Sequence, residues 1–216
     1  MRKEIKTLSL ALFMILVMGN IAQGAQLEDI NLHGWDSLTD ERKQAFQRGI
    51  RDIPDEIVKL HQMMGAGVYL VDGMLYFGGE VDPNLQGVYW HESRDIDLSV
   101  SSYWTTEDIS ITTAHEFGHF VYFQTYAFWS EEARNQLEKD YKYWKKYVDE
   151  FTDIEEAFAV LYSMYRGAPR YYLSQDCIKM IEDAEKMCRW IYESKLEDSE
   201  FEFGPGMEVP DINELN

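Results

Sequence analysis

Cysteine is nearly absent from this chain: there are two in 216 residues, Cys177 and Cys188. They fall eleven residues apart on one expected helix, which separates their Cα atoms by roughly 16 Å, whereas a disulfide needs less than about 7 Å. Bridging within that helix is excluded, and the pair is expected to be two buried free thiols rather than a metal site. Basic residues are also scarce, 20 Lys and Arg against 39 Asp and Glu, for a net charge of −19. That balance argues against nucleic acid and anionic membrane surfaces as partners, since both are themselves negative. Long hydrophobic runs are missing too. The one candidate, Leu8 to Met18, is too short to span roughly 30 Å of hydrocarbon. No histidine follows His119, no repeat is visible, and no linker demands a second folded domain.

The N-terminus has the pattern of a targeting segment. Arg2, Lys3 and Lys6 precede the Leu8–Met18 run, and Ala22-Gln23-Gly24-Ala25 offers small residues for cleavage. Residues 1–25 are therefore expected to be a signal peptide, with a secreted or periplasmic product that has no stable membrane insertion after cleavage. Residues 26–196 are expected to form one domain, and 197–216 an acidic, flexible tail carrying Gly204-Pro205-Gly206.

Between those limits the sequence predicts an α+β fold with a small mixed sheet and a mostly helical C-terminal half. A helix capped by Thr39 or Asp40 runs to Arg51, and Pro54 starts another, with Ile57, Val58, Leu60, Met63 and Met64 as core positions. Strands are expected at Val68–Val71 and Met74–Phe77, joined as a tight hairpin by Asp72-Gly73. Gly78-Gly79 reads as a loop. Two further strands follow, Gly87–Trp90 and Asp95–Val100. The alternation of the second suits a strand near a sheet edge, bordering a cleft. Helices are then expected from Thr105 or Thr106 to about Phe128, from Ser130 to Tyr147, from Ile154 to Arg166, and from Ser174 to about Ser194.

The helix beginning at Thr105 or Thr106 carries His115-Glu116-Phe117-Gly118-His119 at its centre. Histidines four apart on a helix share one face, so both imidazoles reach one metal ion. The glutamate after the first histidine projects beside that ion and can accept a proton from its water. This is the HExxH pattern of zinc peptidases, with His115 and His119 as ligands of a single Zn²⁺ and Glu116 as general base. Gly118 leaves room for a neighbouring element to pack closely. A third ligand is needed. Position 125 is Thr125, so the three-histidine class is excluded and the ligand must be a later carboxylate. Glu155 and Glu156 are the candidates. Capping boxes Thr152 with Glu155 and Asp153 with Glu156 are both open and do not decide between them. Helical phase favours Glu156, which shares a small-sided face with Ala159, Val160 and Ser163, away from the apolar stripe of Ile154, Phe158, Leu161, Tyr162 and Tyr165. The remaining histidines, His33, His61 and His91, read as surface or packing residues.

Several stretches together resemble the anthrax-lethal-factor-like zinc metallopeptidases, a family that includes toxin catalytic domains and secreted Pro-Pro endopeptidases. They are Ile53–Leu60 leading into Gly67–Leu70, Gly87-Val88-Tyr89, the strand at 95–100, HEFGH, and Glu156-Ala157-Phe158-Ala159. The resemblance implies a zincin-like fold and exported endopeptidase activity. It also implies ligation by His115, His119 and Glu156, with a protein or peptide substrate bound extended along Ile96–Val100. The family has a second glutamate four residues after the ligand glutamate, where this chain has Val160. It places an oxyanion-stabilising tyrosine shortly before that ligand, where this chain has Asp149. Tyr147 fills the role if the loop is two residues longer, and is otherwise a surface or packing tyrosine. The rival is a non-catalytic exported zinc-binding protein on the same scaffold, although a purely structural zinc site has no need of Glu116.

Overall fold

The structure is a computed structural model and describes residues 27, 30–147, 152–167 and 173–197. The targeting segment expected at 1–25, the tail beyond 197 and Asp149 lie outside the described residues.

Among the described residues, six strands and six α-helices make up a mixed α+β fold, as expected. The strands are β1 (Leu32–His33), β2 (Val68–Val71), β3 (Leu75–Phe77), β4 (Glu80–Asp82), β5 (Gly87–Tyr89) and β6 (Ile96–Ser99). The helices are α1 (Asp40–Arg51), α2 (Asp55–Met63), α3 (Thr106–Thr125), α4 (Glu131–Trp144), α5 (Ile154–Gly167) and α6 (Gln175–Glu197). Helix starts follow local chemistry. The Thr39 hydroxyl accepts from the Arg42 N–H, Ser130 from Ala133, and Thr105 with Asp108 forms a reciprocal capping box.

The main sheet has the order β1-β2-β6-β5, with β1, β2 and β6 parallel and β5 antiparallel at one edge. One strand expectation is corrected. β2 and β3 do not form a hairpin across Asp72-Gly73; β2 pairs with β1 and β6, while β3 pairs with β4. The tight turn is Gly78-Gly79, with φ of +62° and +88°. Two successive positive φ values match the twist of flanking strands and cost glycine nothing, which is why the turn formed there. The strand 95–100 stands next to a sheet edge, as expected, with β6 paired to β2 on one side and to the edge strand β5 on the other. Both of its backbone edges are occupied, and the antiparallel edge strand is β5.

The core lies between the sheet and the helices. Ile96, Leu98 and Val100 of the sheet meet Phe46 and Ile50 of α1, Ile57, Val58 and Leu60 of α2, and Phe117, Phe120 and Val121 of α3. Met63, expected inside, is exposed at the last residue of α2. Cys177 and Cys188 are buried free thiols, as expected. Helix α3 packs against α1 on one side and α5 on another, with the sheet and α6 also in contact. Helices α5 and α6 are tied by a largely buried ion pair, in which Arg166 Nε donates to Glu185 Oε1 at 2.7 Å. Among the described residues no helix is long and apolar enough to cross a membrane.

His61, expected to be a packing or surface histidine, is buried against Phe117 and Phe120, with Nε2 2.8 Å from the Arg94 carbonyl oxygen. Burial lowers its pKa from 6.5 to about 4, against the opposing pull of the Arg94 carbonyl and Asp95. In the unfolded chain His61 takes up a proton below about pH 6.5, whereas in the folded protein it stays neutral until about pH 4. Its contribution to stability is therefore complete above 6.5 and is lost as pH falls through that window, by about 3 kcal/mol. Urea midpoints of wild type and His61→Gln, compared at pH 7 and pH 4, check this: the acid-induced drop is expected to be larger in wild type.

Candidate metal centre

Helix α3 is long enough to put the HEFGH segment in its interior, where every backbone group is paired and the side-chain directions are fixed. Its two neighbours come close through glycines. A Cβ on Gly49 of α1 would sit 2.7 Å from the Ser110 carbonyl oxygen and the Thr113 Cβ. A Cβ on Gly118 would sit 2.9 Å from Ala159 Cα and 3.0 Å from Tyr162 Cβ. Gly118 and Ala159 thus let α3 and α5 cross nearly backbone to backbone, the approach expected from Gly118 and the small-sided face of α5. The crossing delivers the first turn of α5 to the two histidines. Gly118→Ala is expected to lower the melting temperature and weaken zinc binding together. Overpacking costs about 1–3 kcal/mol and exceeds the helix-propensity gain of about 1 kcal/mol, and the shift of α5 carries Glu156 with it. A thermal melt and a zinc titration read the two effects.

Three side chains converge at that crossing. His115 Nε2 and His119 Nε2 are 3.1 Å apart. Glu156 Oε1 lies 3.0 Å from His115 Nε2, and Oε2 lies 3.3 Å from His119 Nε2. Together they form a His-x3-His plus Glu cluster of the zincin type. Two imidazole nitrogens so close, lone pairs facing, require a proton or a cation between them. Their separation is near the roughly 3.3 Å edge of a tetrahedron with bonds of about 2.0–2.1 Å, the dimension of a zinc site. The residues therefore fit a zinc ion in donor type, number and spacing.

The electrostatics favour positive charge at the same point. Burial works against a charged His119, but the carboxylates of Glu155 and Glu156 outweigh it and lift its pKa to about 10. For Glu156 burial is likewise outweighed, here by His115 and His119, and its carboxyl is held well below the usual range.

The two α5 glutamates are used differently. Asp153 Oδ1 accepts from the Glu156 N–H at 2.9 Å, so Asp153 is the cap and the Glu156 carboxylate is left for the histidines. Glu155 instead reaches His119 from behind, with Oε1 3.1 Å from Nδ1. That is an ion-pair distance without hydrogen-bond alignment, for Nδ1 is buried and makes no aligned hydrogen bond.

Glu116 lies between the cluster and β5. It is buried, and a Cβ on Gly87 would lie 2.3 Å from its Oε1. Burial raises its pKa, while His115, His119 and the Tyr89 backbone N–H pull it down. Tyr89 also lays its ring parallel to that of His119, centroids 6.2 Å apart at 8°. Neither Gly87 nor Tyr89 was singled out from the sequence as part of the site. A glycine inside a strand is the signal of a close approach, and Gly87 is that signal. Thr125, where a third histidine would stand in the three-histidine class, donates to the Val121 carbonyl and accepts from Trp129 Nε1. Tyr147 is 70% exposed and packs on Tyr143 beyond the end of α4.

The chain matches no protein-family model and no curated protein. The functional reading rests on the site.

Proposed function

We propose that the protein is a zinc-dependent endopeptidase of the anthrax-lethal-factor-like kind, exported through its N-terminal segment. The observation that carries the reading is the joint placement of His115, His119 and Glu156 at donor spacing with Glu116 buried beside them. A bound zinc ion supplies Lewis acidity, polarising a carbonyl and acidifying a water. His115, His119 and Glu156 would hold it. Glu116 accepts the proton of the attacking water and returns it to the leaving amine, a task that suits a carboxyl whose pKa burial has raised.

The substrate lies along β5. Gln86 and Trp90 make the ladder bonds to β6, so by alternation Gly87 and Tyr89 face the other side, where the Tyr89 N–H meets Glu116 and the remaining backbone groups are left for a peptide. An extended peptide adding there runs directly over Glu116, which touches Gly87. Tyr147 as oxyanion donor rests on the family resemblance alone, and its exposed position is what favours the rival reading of a non-catalytic zinc-binding protein. Against the rival stands Glu116, a buried carboxyl that a structural zinc site does not need.

The deciding experiment measures bound zinc in the purified protein and cleavage of a diverse peptide library before and after chelation. About one zinc per chain, with cleavage lost on chelation and restored by zinc, supports the peptidase. Bound zinc without cleavage supports the rival, and a protein that takes up no zinc overturns both.

A further inference from the structure

We infer that Glu155 is a positioning residue for the metal site: it accepts the Nδ1–H of His119 and so holds Nε2 bare and aimed at the ion. The inference rests on the zinc-site reading above and concerns a residue outside the ligand set.

Its basis is geometric. His119 Nδ1 is buried, and among the described residues the polar atom recorded beside it is Glu155 Oε1 at 3.1 Å. The distance is that of a hydrogen bond and only the direction falls short. Rotation about the last torsion of the glutamate, where the energy surface is broad, corrects it without moving either backbone. Glu155 is free to do this because capping of α5 is done by Asp153. The ring cannot easily turn away, since Tyr89 lies parallel to it and the second ring nitrogen is engaged with Glu156.

A ligating imidazole binds metal only through a nitrogen without a proton. A carboxylate on the other nitrogen keeps the proton there and raises ligand basicity. Position 160, one turn beyond Glu156, carries valine, which offers no acceptor. Glu155 supplies the acceptor from the residue immediately before the ligand instead. One helical turn thus provides both a carboxylate for the ion and one for the histidine behind it.

The test uses the purified protein, stripped of metal, with Glu155→Ala, Glu155→Gln and, as control, Glu131→Ala in the first turn of α4. Zinc affinity is read by competition with a chromophoric chelator, and folding of each apo-protein by its thermal melt. Glu155→Ala is expected to weaken zinc binding by about 10–100-fold, the usual loss for such a partner, with an unchanged apo melt. Glu155→Gln keeps an acceptor oxygen without the charge and is expected to recover most of that loss. The cobalt-loaded Ala variant should also show an altered ligand-field spectrum, which loss of remote charge alone would not produce. Wild-type affinity in Glu155→Ala, or equal losses in the Ala and Gln variants, overturns the positioning role while leaving the zinc site standing. Failure of the wild type itself to bind zinc overturns the underlying site reading, and is seen separately.

Discussion

Glu116→Gln is expected to bind zinc as the wild type does and to lose peptide hydrolysis by about 10²–10⁴-fold in kcat, the range for removing a general base. Glutamine has the volume of glutamate, so the contact with Gly87 is preserved and the fold has no reason to change. Its amide oxygen still meets the Tyr89 N–H, but the side chain no longer accepts a proton. Since Glu116 is not among the three converging ligands, metal content should be unaffected. Side-by-side zinc analysis and steady-state kinetics decide the matter. A variant that keeps more than a tenth of wild-type kcat would remove Glu116 from the chemistry.

Glu156→Ala is expected to weaken zinc binding more than any Glu155 variant does, beyond the about 10–100-fold typical of an outer partner. The substitution removes one of three donors and also the carboxylate that sits within 3.3 Å of both histidines. Cooperative placement makes the loss larger than that of one bond, because His115 and His119 then face each other at 3.1 Å with less negative charge to draw a cation between them. The backbone N–H of residue 156 remains capped by Asp153, so α5 should form normally, and the apo melt serves as the control. Equal zinc affinity in Glu156→Ala and Glu155→Ala would show that the ligand has been assigned to the wrong glutamate.

Much of the site was legible because the chemistry follows helical spacing. His115 and His119 are one turn apart, Glu156 shares a face with Ala159, and Gly118 marks the close crossing that joins the two helices; all of this is local periodicity. Helix starts were legible to within a residue from local capping chemistry, with Thr39 or Asp40 and Thr105 or Thr106 left open between neighbours. What was not legible depends on pairing between distant segments. Asp72-Gly73 carries a good hairpin signal, yet β2 found two parallel partners and the turn formed at Gly78-Gly79. The alternation in 95–100 described one wet and one buried face, but alternation concerns faces and says nothing about whether the edges are paired. In the sheet β6 has a partner along each edge, and the open strand beside it is β5. Glu155 was weighed as a cap partner or a ligand; its place behind His119 follows from ring orientation, which no spacing rule encodes.

Helix α3 is held at close crossings by Gly49 and Gly118, whereas Glu156 sits in the first turn of α5. The two kinds of ligand therefore stand on ground of different firmness. Amide protons in the middle of α3 should exchange only when the whole molecule opens, whereas those of a terminal turn exchange by local fraying. An arriving ion would meet a preset pair of imidazoles and be enclosed by a carboxylate that closes on it. Release would begin with Glu156 letting go, so the lifetime of a bound ion would depend on how tightly one helix end is fastened.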